Sequence, residues 1–478
     1  MSAGAEPAST RLEAPGMSLT GAPGFADPGA VPRLAEGVEL LGEFRNSGDS
    51  QPPSLVRRAD GQVIQMSRLL YLVASRIDGS RGAAAIAELV SEDLGRSPTA
   101  EQIRYLITAK LLPLGIVADQ GVSQVPPRAN PLLALRARGT LLPERAANAV
   151  GACFRPLFRW PVVVAVLVCV AAVDYWVFAD HGLTAAAQQV LRDPRDVIIV
   201  FVLSVLSAVF HECGHAAGCR SSGGRSGRIG VGIYLVWPSF FTNVTDSYRL
   251  SRGGRLRTDL GGLYFNLIFM LVLAGLYAAT SSEILLLVIA ITHLEMLEQL
   301  LPFVRFDGYF ILSDLIGVPD LFARVMPILK STLSRGSTAR KDPRVTGMRR
   351  HARILVTGWV LCVIPLLAFT MGYLLLYLPA LNRALWRSST VQAHLMVTAA
   401  GGRHYAEAAA DVLSIVFAAL PGAGSLYVVT GLTRRATTMS LRWSAGRATR
   451  RAAAAAVGIA CATSLALFWV LQGQFRGW

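Results

Sequence analysis

Seven apolar runs, near residues 158–178, 197–218, 259–280, 283–303, 354–378, 409–432 and 453–472, each approach the roughly 20 residues a helix needs to cross a bilayer. In hydrocarbon every backbone N–H and C=O must be bonded within its own segment or a closed barrel, so runs of this length are predicted to be helices. Of 478 residues, 53% are hydrophobic and 16% charged. Soluble domains carry about 25% charged residues, which argues against an ordinary water-soluble enzyme. The expected fold class is an α-helical polytopic membrane protein with about seven transmembrane helices, preceded by a small N-terminal winged-helix-like α+β domain.

The net charge of +15 is almost all arginine, and its distribution predicts orientation. Arg155 and Arg159 flank the first run, Arg220 to Arg257 lie between the second and third, Arg324 to Arg350 precede the fifth, and Arg434 to Arg451 precede the seventh. With seven alternating spans these loops share one side, the cytoplasm, and the N-terminal domain shares it too. The chain is therefore expected to be multi-pass in the cell membrane, in contact with the lipid bilayer. The loop expected at 380–408 falls on the opposite side, although it also carries Arg383, Arg387 and Arg403.

Residues 1–35, rich in Ala, Gly, Pro and Ser, are expected to be a disordered tail, because such a composition buries too little apolar area to fold. Residues 50–120 read as a compact domain. Arg57 to Gly61 suggests a turn and Val63-Ile64 a strand. Leu69, Leu72, Val73 and Ile77 fit one helix face, and Ile86, Leu89, Val90 and Leu94 another. Ser97-Pro98 is expected to open a third helix, and Leu114 to Val117 a last strand. A winged helix raises DNA as a partner, but residues 55–120 hold eight basic and seven acidic residues, without a basic stripe. No nucleic acid is expected. Residues 121–156 read as linker and juxtamembrane segment, 157–320 as a membrane core and 321–478 as a C-terminal transmembrane region. The six cysteines form no CxxC pair, so neither a zinc ribbon nor a disulfide framework is offered.

The second run closes on His211-Glu212-Cys213-Gly214-His215. With 7 His and 31 acids in the chain, an HExxH string arises by chance roughly 0.007 times. Two His at i and i+4 lie on one helix face, so both imidazoles reach one metal while Glu212 sits beside the open position. At membrane depth each ionisable group costs about 2.5–3.5 kcal/mol unless satisfied; Zn²⁺ supplies the partner that three such groups need. A zinc hydrolase takes a third protein ligand, and Asp246, His293, Glu295, Glu298, Asp307 and Asp314 are candidates. Pro302 interrupts the fourth run and Gly308 permits a bend beside Asp307, which favours Asp307. Glu295 and Glu298 share a helix face, and a structural role is favoured for both. Ile229 to Thr245, short, Gly-interrupted and rich in β-branched and aromatic residues, reads either as a hairpin re-entering the membrane or as a surface loop. An edge there would let an extended substrate add as a strand.

HECGHAAGC at 211–219, GGLYFN at 261–266 and LPFVRFDGYFILSD at 301–314 resemble the site-2 protease family of intramembrane zinc metallopeptidases, in particular its peptide zinc metalloprotease branch. The resemblance covers roughly residues 130–320. It implies that His211, His215 and Asp307 bind Zn²⁺, that Glu212 is the general base, and that Asn266 helps position the scissile carbonyl. Two departures stand out: Gln299 and Leu301 where the family often has Asn before the Pro, and Gly261-Gly262 where it commonly has Gly-Pro. Residues 55–118 resemble the small PqqD-like domains that capture leader peptides of ribosomally made, modified peptides. The implied activity is a zinc endopeptidase acting on a small precursor peptide. Cleavage of a membrane-anchored regulator, or a non-catalytic peptide-binding or transport role, are the alternatives; the absence of a PDZ-like insertion between the spans counts against the first, and the intact Glu212 against the second.

Overall fold

The computed structural model describes residues 31–58, 62–95, 97–118, 136–184, 194–234, 237–333, 342–402 and 404–475. Residues 59–61 of the turn expected at Arg57 to Gly61, residues 1–30 of the expected tail and residues 121–135 of the expected linker lie outside them, while Arg57 closes a strand. The chain divides into two compact units, one of residues 1–40 and 54–127, the other of 41–53 and 128–478.

In the first unit, strands β1 (Glu39–Glu43), β2 (Ser54–Arg57) and β3 (Val63–Met66) form a sheet in that order, with β2 and β3 antiparallel. The chain leaves the unit midway along β1. Three helices follow: α1 (Arg68–Ser75), α2 (Ala83–Leu94) and α3 (Ala100–Leu106). The Ser67 hydroxyl accepts from the Leu70 N–H to start α1, and Gly95, at φ 63°, ends α2 in the left-handed region that glycine enters without a Cβ penalty. The third helix starts later than Ser97-Pro98 suggests. Thr99 is its cap, with Gln102 reaching back to close a reciprocal capping box that fixes both free N–H groups. The helical periodicity is reflected in the core, where Val73, Ile77, Ile86, Val90, Ile103, Ile107 and Leu111 are buried together. Val117 forms a single antiparallel bridge to Leu34 in place of a last strand, so residues just before β1 belong to this unit.

Among the described residues, the second unit carries six helices long and apolar enough to cross a membrane: Trp160–His181, Asp196–Ser221, Gly261–Thr280, Arg350–Gly401, Glu407–Ser444 and Ala448–Leu471. Their outward faces hold exposed apolar side chains such as Val168, Leu206 and Val272, the surface expected of a multi-pass membrane protein. Within the unit, β4 (Arg136–Leu142), β5 (Ile229–Tyr234) and β6 (Trp237–Thr242) form an antiparallel sheet with β5 in the centre. The hairpin between the second and third runs thus gains a third strand from residues expected to be mere linker. Gly230 allows it: a side chain there would overlap the Gly139 carbonyl across the ladder.

Among the described residues, the helices of this unit with eight or more residues are α4 (Glu144–Phe154), α5 (Trp160–Tyr175), α6 (Pro194–Ser221), α7 (Arg252–Asp259), α8 (Gly261–Thr280), α9 (Glu283–Gln299), α10 (Asp307–Ile316), α11 (Phe322–Leu333), α12 (Arg350–Gly401), α13 (Tyr405–Ser444) and α14 (Ala448–Phe475). The fourth expected span, 283–303, is represented by α9. It has 17 residues and stops before Pro302, so it falls short of the candidates above. The loop expected at 380–408 is also replaced. α12 runs 52 residues to Gly401, about 78 Å at 1.5 Å per residue. After Pro379 no Gly or Pro interrupts the chain until Gly401, and Ala, Leu, Arg and Gln keep it helical beyond any bilayer thickness.

Small residues set the tightest packing. Gly214 and Gly218 lie one turn apart on α6, and a Cβ on either would overlap backbone of the α7–α8 junction, at Gly261 and Arg257 respectively. Gly151 lets α4 approach Ala216 on the other side of α6 in the same way. The lower half of α6 is therefore wedged between two helices at backbone contact.

Candidate metal centre

His211 and His215 sit on this wedged part of α6, 4% and 8% exposed. Asp307 is the first residue of α10 and reaches them because the chain doubles back after α9. Gly308 is what permits the return, since a side chain there would overlap the Leu300 carbonyl at the end of α9. The Trp359 indole N–H donates to the Pro302 carbonyl at 3.0 Å, which satisfies an acceptor of the reversing segment.

The three side chains converge. Asp307 Oδ2 is 2.9 Å from His211 Nε2 and 3.4 Å from His215 Nε2, and the two Nε2 atoms are 3.0 Å apart. Among the described residues this is the group of His, Cys, Asp and Glu side chains placed to hold a metal, with ligand atoms within 4.8 Å of one another. Tetrahedral zinc with bonds of about 2.0–2.1 Å separates its ligands by roughly 3.3 Å, so the spacing fits. His215 Nδ1 lies 2.9 Å from the Thr258 carbonyl and donates to it, which fixes the tautomer with the Nε2 lone pair facing the group. Gly262, the first full turn of α8, completes the cradle. A Cβ there would overlap Nε2 of both His211 and His215.

Glu212 lies beside the group rather than in it. Thr242, the last residue of β6, places its hydroxyl 2.6 Å from Glu212 Oε2 and 2.9 Å from the Glu212 carbonyl. The sheet edge therefore ends at the carboxylate. Asn266 is 2% exposed, one turn along α8 from Gly262 on the same face, and its Oδ1 has no hydrogen-bond partner among the described residues.

The other candidates for third ligand are engaged elsewhere. Asp246 accepts from the Arg225 N–H and pairs with Arg249. His293 faces Asp174 at 3.2 Å and the Ile289 carbonyl. Asp314 accepts from Arg255 Nε at 2.7 Å, and Glu295 and Glu298 stand outside the group of three. Sequence reasoning did not find Thr242 or Thr258; it noted Gly261-Gly262 only as a departure from Gly-Pro, and the structure adds that a Cβ at Gly262 would overlap the two imidazoles.

No family model and no solved structure matches the chain. A curated protein of Bacillus subtilis (strain 168), named "Putative peptide zinc metalloprotease protein YydH", is 29% identical over 125 residues, which is 26% of this chain and 50% of that protein. The chain thus spans about half the length of the curated relative it matches. That likeness and the His-His-Asp group together point to a zinc metalloprotease-like protein.

Proposed function

We propose that this protein is a membrane-embedded zinc endopeptidase of the site-2 protease type, hydrolysing a peptide bond in a small precursor peptide. What supports it is the return of Asp307 to His211 and His215, on helices long and apolar enough for a membrane, with Glu212 alongside. Zn²⁺ held by these three residues supplies a Lewis acid that polarises the peptide carbonyl and lowers the pKa of water. Thr242 holds Glu212 at Oε2, leaving Oε1 to take the water proton and deliver it to the leaving amine nitrogen. Asn266, one turn from Gly262, positions the scissile carbonyl. An extended substrate adds to the edge of β6 away from β5 and arrives at Glu212 as it passes Thr242. α8 leads away from the site and α9 returns to it, so on this reading α9 crosses the same layer as the six longer helices and the chain makes seven crossings, with the N-terminal unit in the cytoplasm. That unit binds the leader segment of the substrate.

Purified protein should contain about one Zn²⁺ per chain, lost in His211→Ala and His215→Ala. Glu212→Gln should keep the metal and lose hydrolysis. Full activity in Glu212→Gln would sink the catalytic assignment, and peptide flux surviving with no cleavage would favour a transport role.

A further inference from the structure

The stretch between β1 and β2 looks in sequence like a polar linker, yet residues 41–53 belong to the second unit. Phe44 is fully buried, and the Arg255 guanidinium lies 4.0 Å over its ring. Arg255 is itself completely buried. Its Nε donates to Asp314 Oδ1 at 2.7 Å and its Nη1 to the carbonyls of Arg45, at 3.1 Å, and Leu250, at 3.0 Å. Further along, the Gly48 N–H donates to the Gly317 carbonyl at 2.7 Å, its carbonyl accepts from Arg349, and Asp49 pairs with Arg324 at 2.7 Å. A Cβ at Gly48 would come within 2.6 Å of the Ile316 carbonyl, so the strap lies flat on the end of α10.

The position of the Arg255–Asp314 pair matters. Arg255 is on α7, three residues before Thr258, whose carbonyl orients His215. Asp314 is on α10, seven residues after Asp307, two turns along one helix face. The pair therefore ties the segment that orients one metal ligand to the helix that supplies another. Arg255 Nη2 already has no hydrogen-bond partner among the described residues, so the matches made at Nε, Nη1 and the ring face are what hold the buried guanidinium, and removing one of them is costly. Two of those matches, the Phe44 ring and the Arg45 carbonyl, come from the strap.

We propose that residues 44–50 are a positioning element of the metal centre: Phe44 and the Arg45 carbonyl hold Arg255 against Asp314, which sets Asp307 relative to His215. By sequence, both ends of the strap run directly into the first unit, the one proposed to bind the leader, so the tether of that unit is also the element that supports Arg255. This rests on the zinc reading above.

The test uses the full-length protein in detergent, with metal affinity read by chelator competition and ligand geometry read from the visible spectrum of the cobalt form. Phe44→Ala and Arg255→Met should each weaken metal binding about tenfold, the lower end of what losing an outer-shell support costs, and should shift the cobalt bands. Phe44→Tyr should restore both. Phe44→Leu keeps the apolar fill without the ring face and is read in place of Phe44→Ala if that variant does not fold; it should lose affinity severalfold. Wild-type affinity and spectrum in a folded Phe44→Leu or Phe44→Ala protein would overturn the proposal. A wild-type protein that takes up neither zinc nor cobalt would overturn the zinc reading and this inference with it.

Discussion

Thr242 Oγ1 stands 2.6 Å from Glu212 Oε2, so the last residue of an edge strand is hydrogen-bonded to the glutamate of the HExxH motif. A bond to a charged acceptor is worth about 1.5–3 kcal/mol. Thr242→Val should therefore lower kcat by about 10–100-fold while zinc content stays at the wild-type level. Thr242→Ser, which keeps the hydroxyl, should recover most of the loss. Unchanged turnover in the valine variant would mean that Glu212 needs no help from the strand.

Gly262 gives a sharper steric test. A single methyl at this position overlaps both imidazole Nε2 atoms, whereas Gly275, on the same helix, has open space around it. Gly262→Ala should purify with little or no zinc, and Gly275→Ala should retain its metal. Zinc content by elemental analysis decides between them; a full complement in Gly262→Ala would mean that the two imidazoles do not pack there.

How much of this was legible depended on whether the signal was periodic. His211 and His215 stand out because the i, i+4 spacing is improbable by chance, and Asp307 because Pro302 and Gly308 mark a reversal. Thr258 acts through its main-chain carbonyl, which no side-chain pattern reports. Thr242 acts from the end of a strand whose pairing with β5 had to be seen first. The strap falls between the expected tail and the expected domain and is assigned to neither: Arg45, Asn46, Ser47, Gly48 and Asp49 are all polar or Gly, and Phe44 alone beside them is too little for a periodic signal. The helix α12 outran the hydropathy reading for a different reason, since bilayer thickness limits a span but not the helix that contains it.

The proposed orientation rests on the arginine distribution and has its own measurement. In a variant lacking the exposed Cys153, Cys169, Cys362 and Cys461, a single cysteine at the exposed Ser80 should resist a membrane-impermeant thiol reagent in intact cells. One at the exposed Ser388, in the part of α12 beyond its apolar run, should react. Labelling at Ser80 would place the N-terminal unit outside and invert the assignment.

The last prediction concerns the N-terminal unit and its tether. Its near-neutral charge argues against DNA, and its resemblance to leader-binding domains argues for a peptide. On the proposed reading, a leader held there would raise the local concentration of the scissile segment at the metal centre without touching the chemistry. Replacing residues 54–127 with a flexible Gly/Ser linker, while keeping 41–53 intact, should raise apparent KM for a leader-bearing precursor by about tenfold or more. Cleavage of a short leaderless peptide should stay within about twofold, and zinc content should not change. A deletion that also removes 41–53 should differ, losing metal affinity as well, because Phe44 and the Arg45 carbonyl leave with it. The two deletions therefore separate substrate capture from site assembly. If the first leaves precursor KM unchanged and the intact protein shows no saturable binding of the leader peptide, the leader-binding role of this unit is wrong.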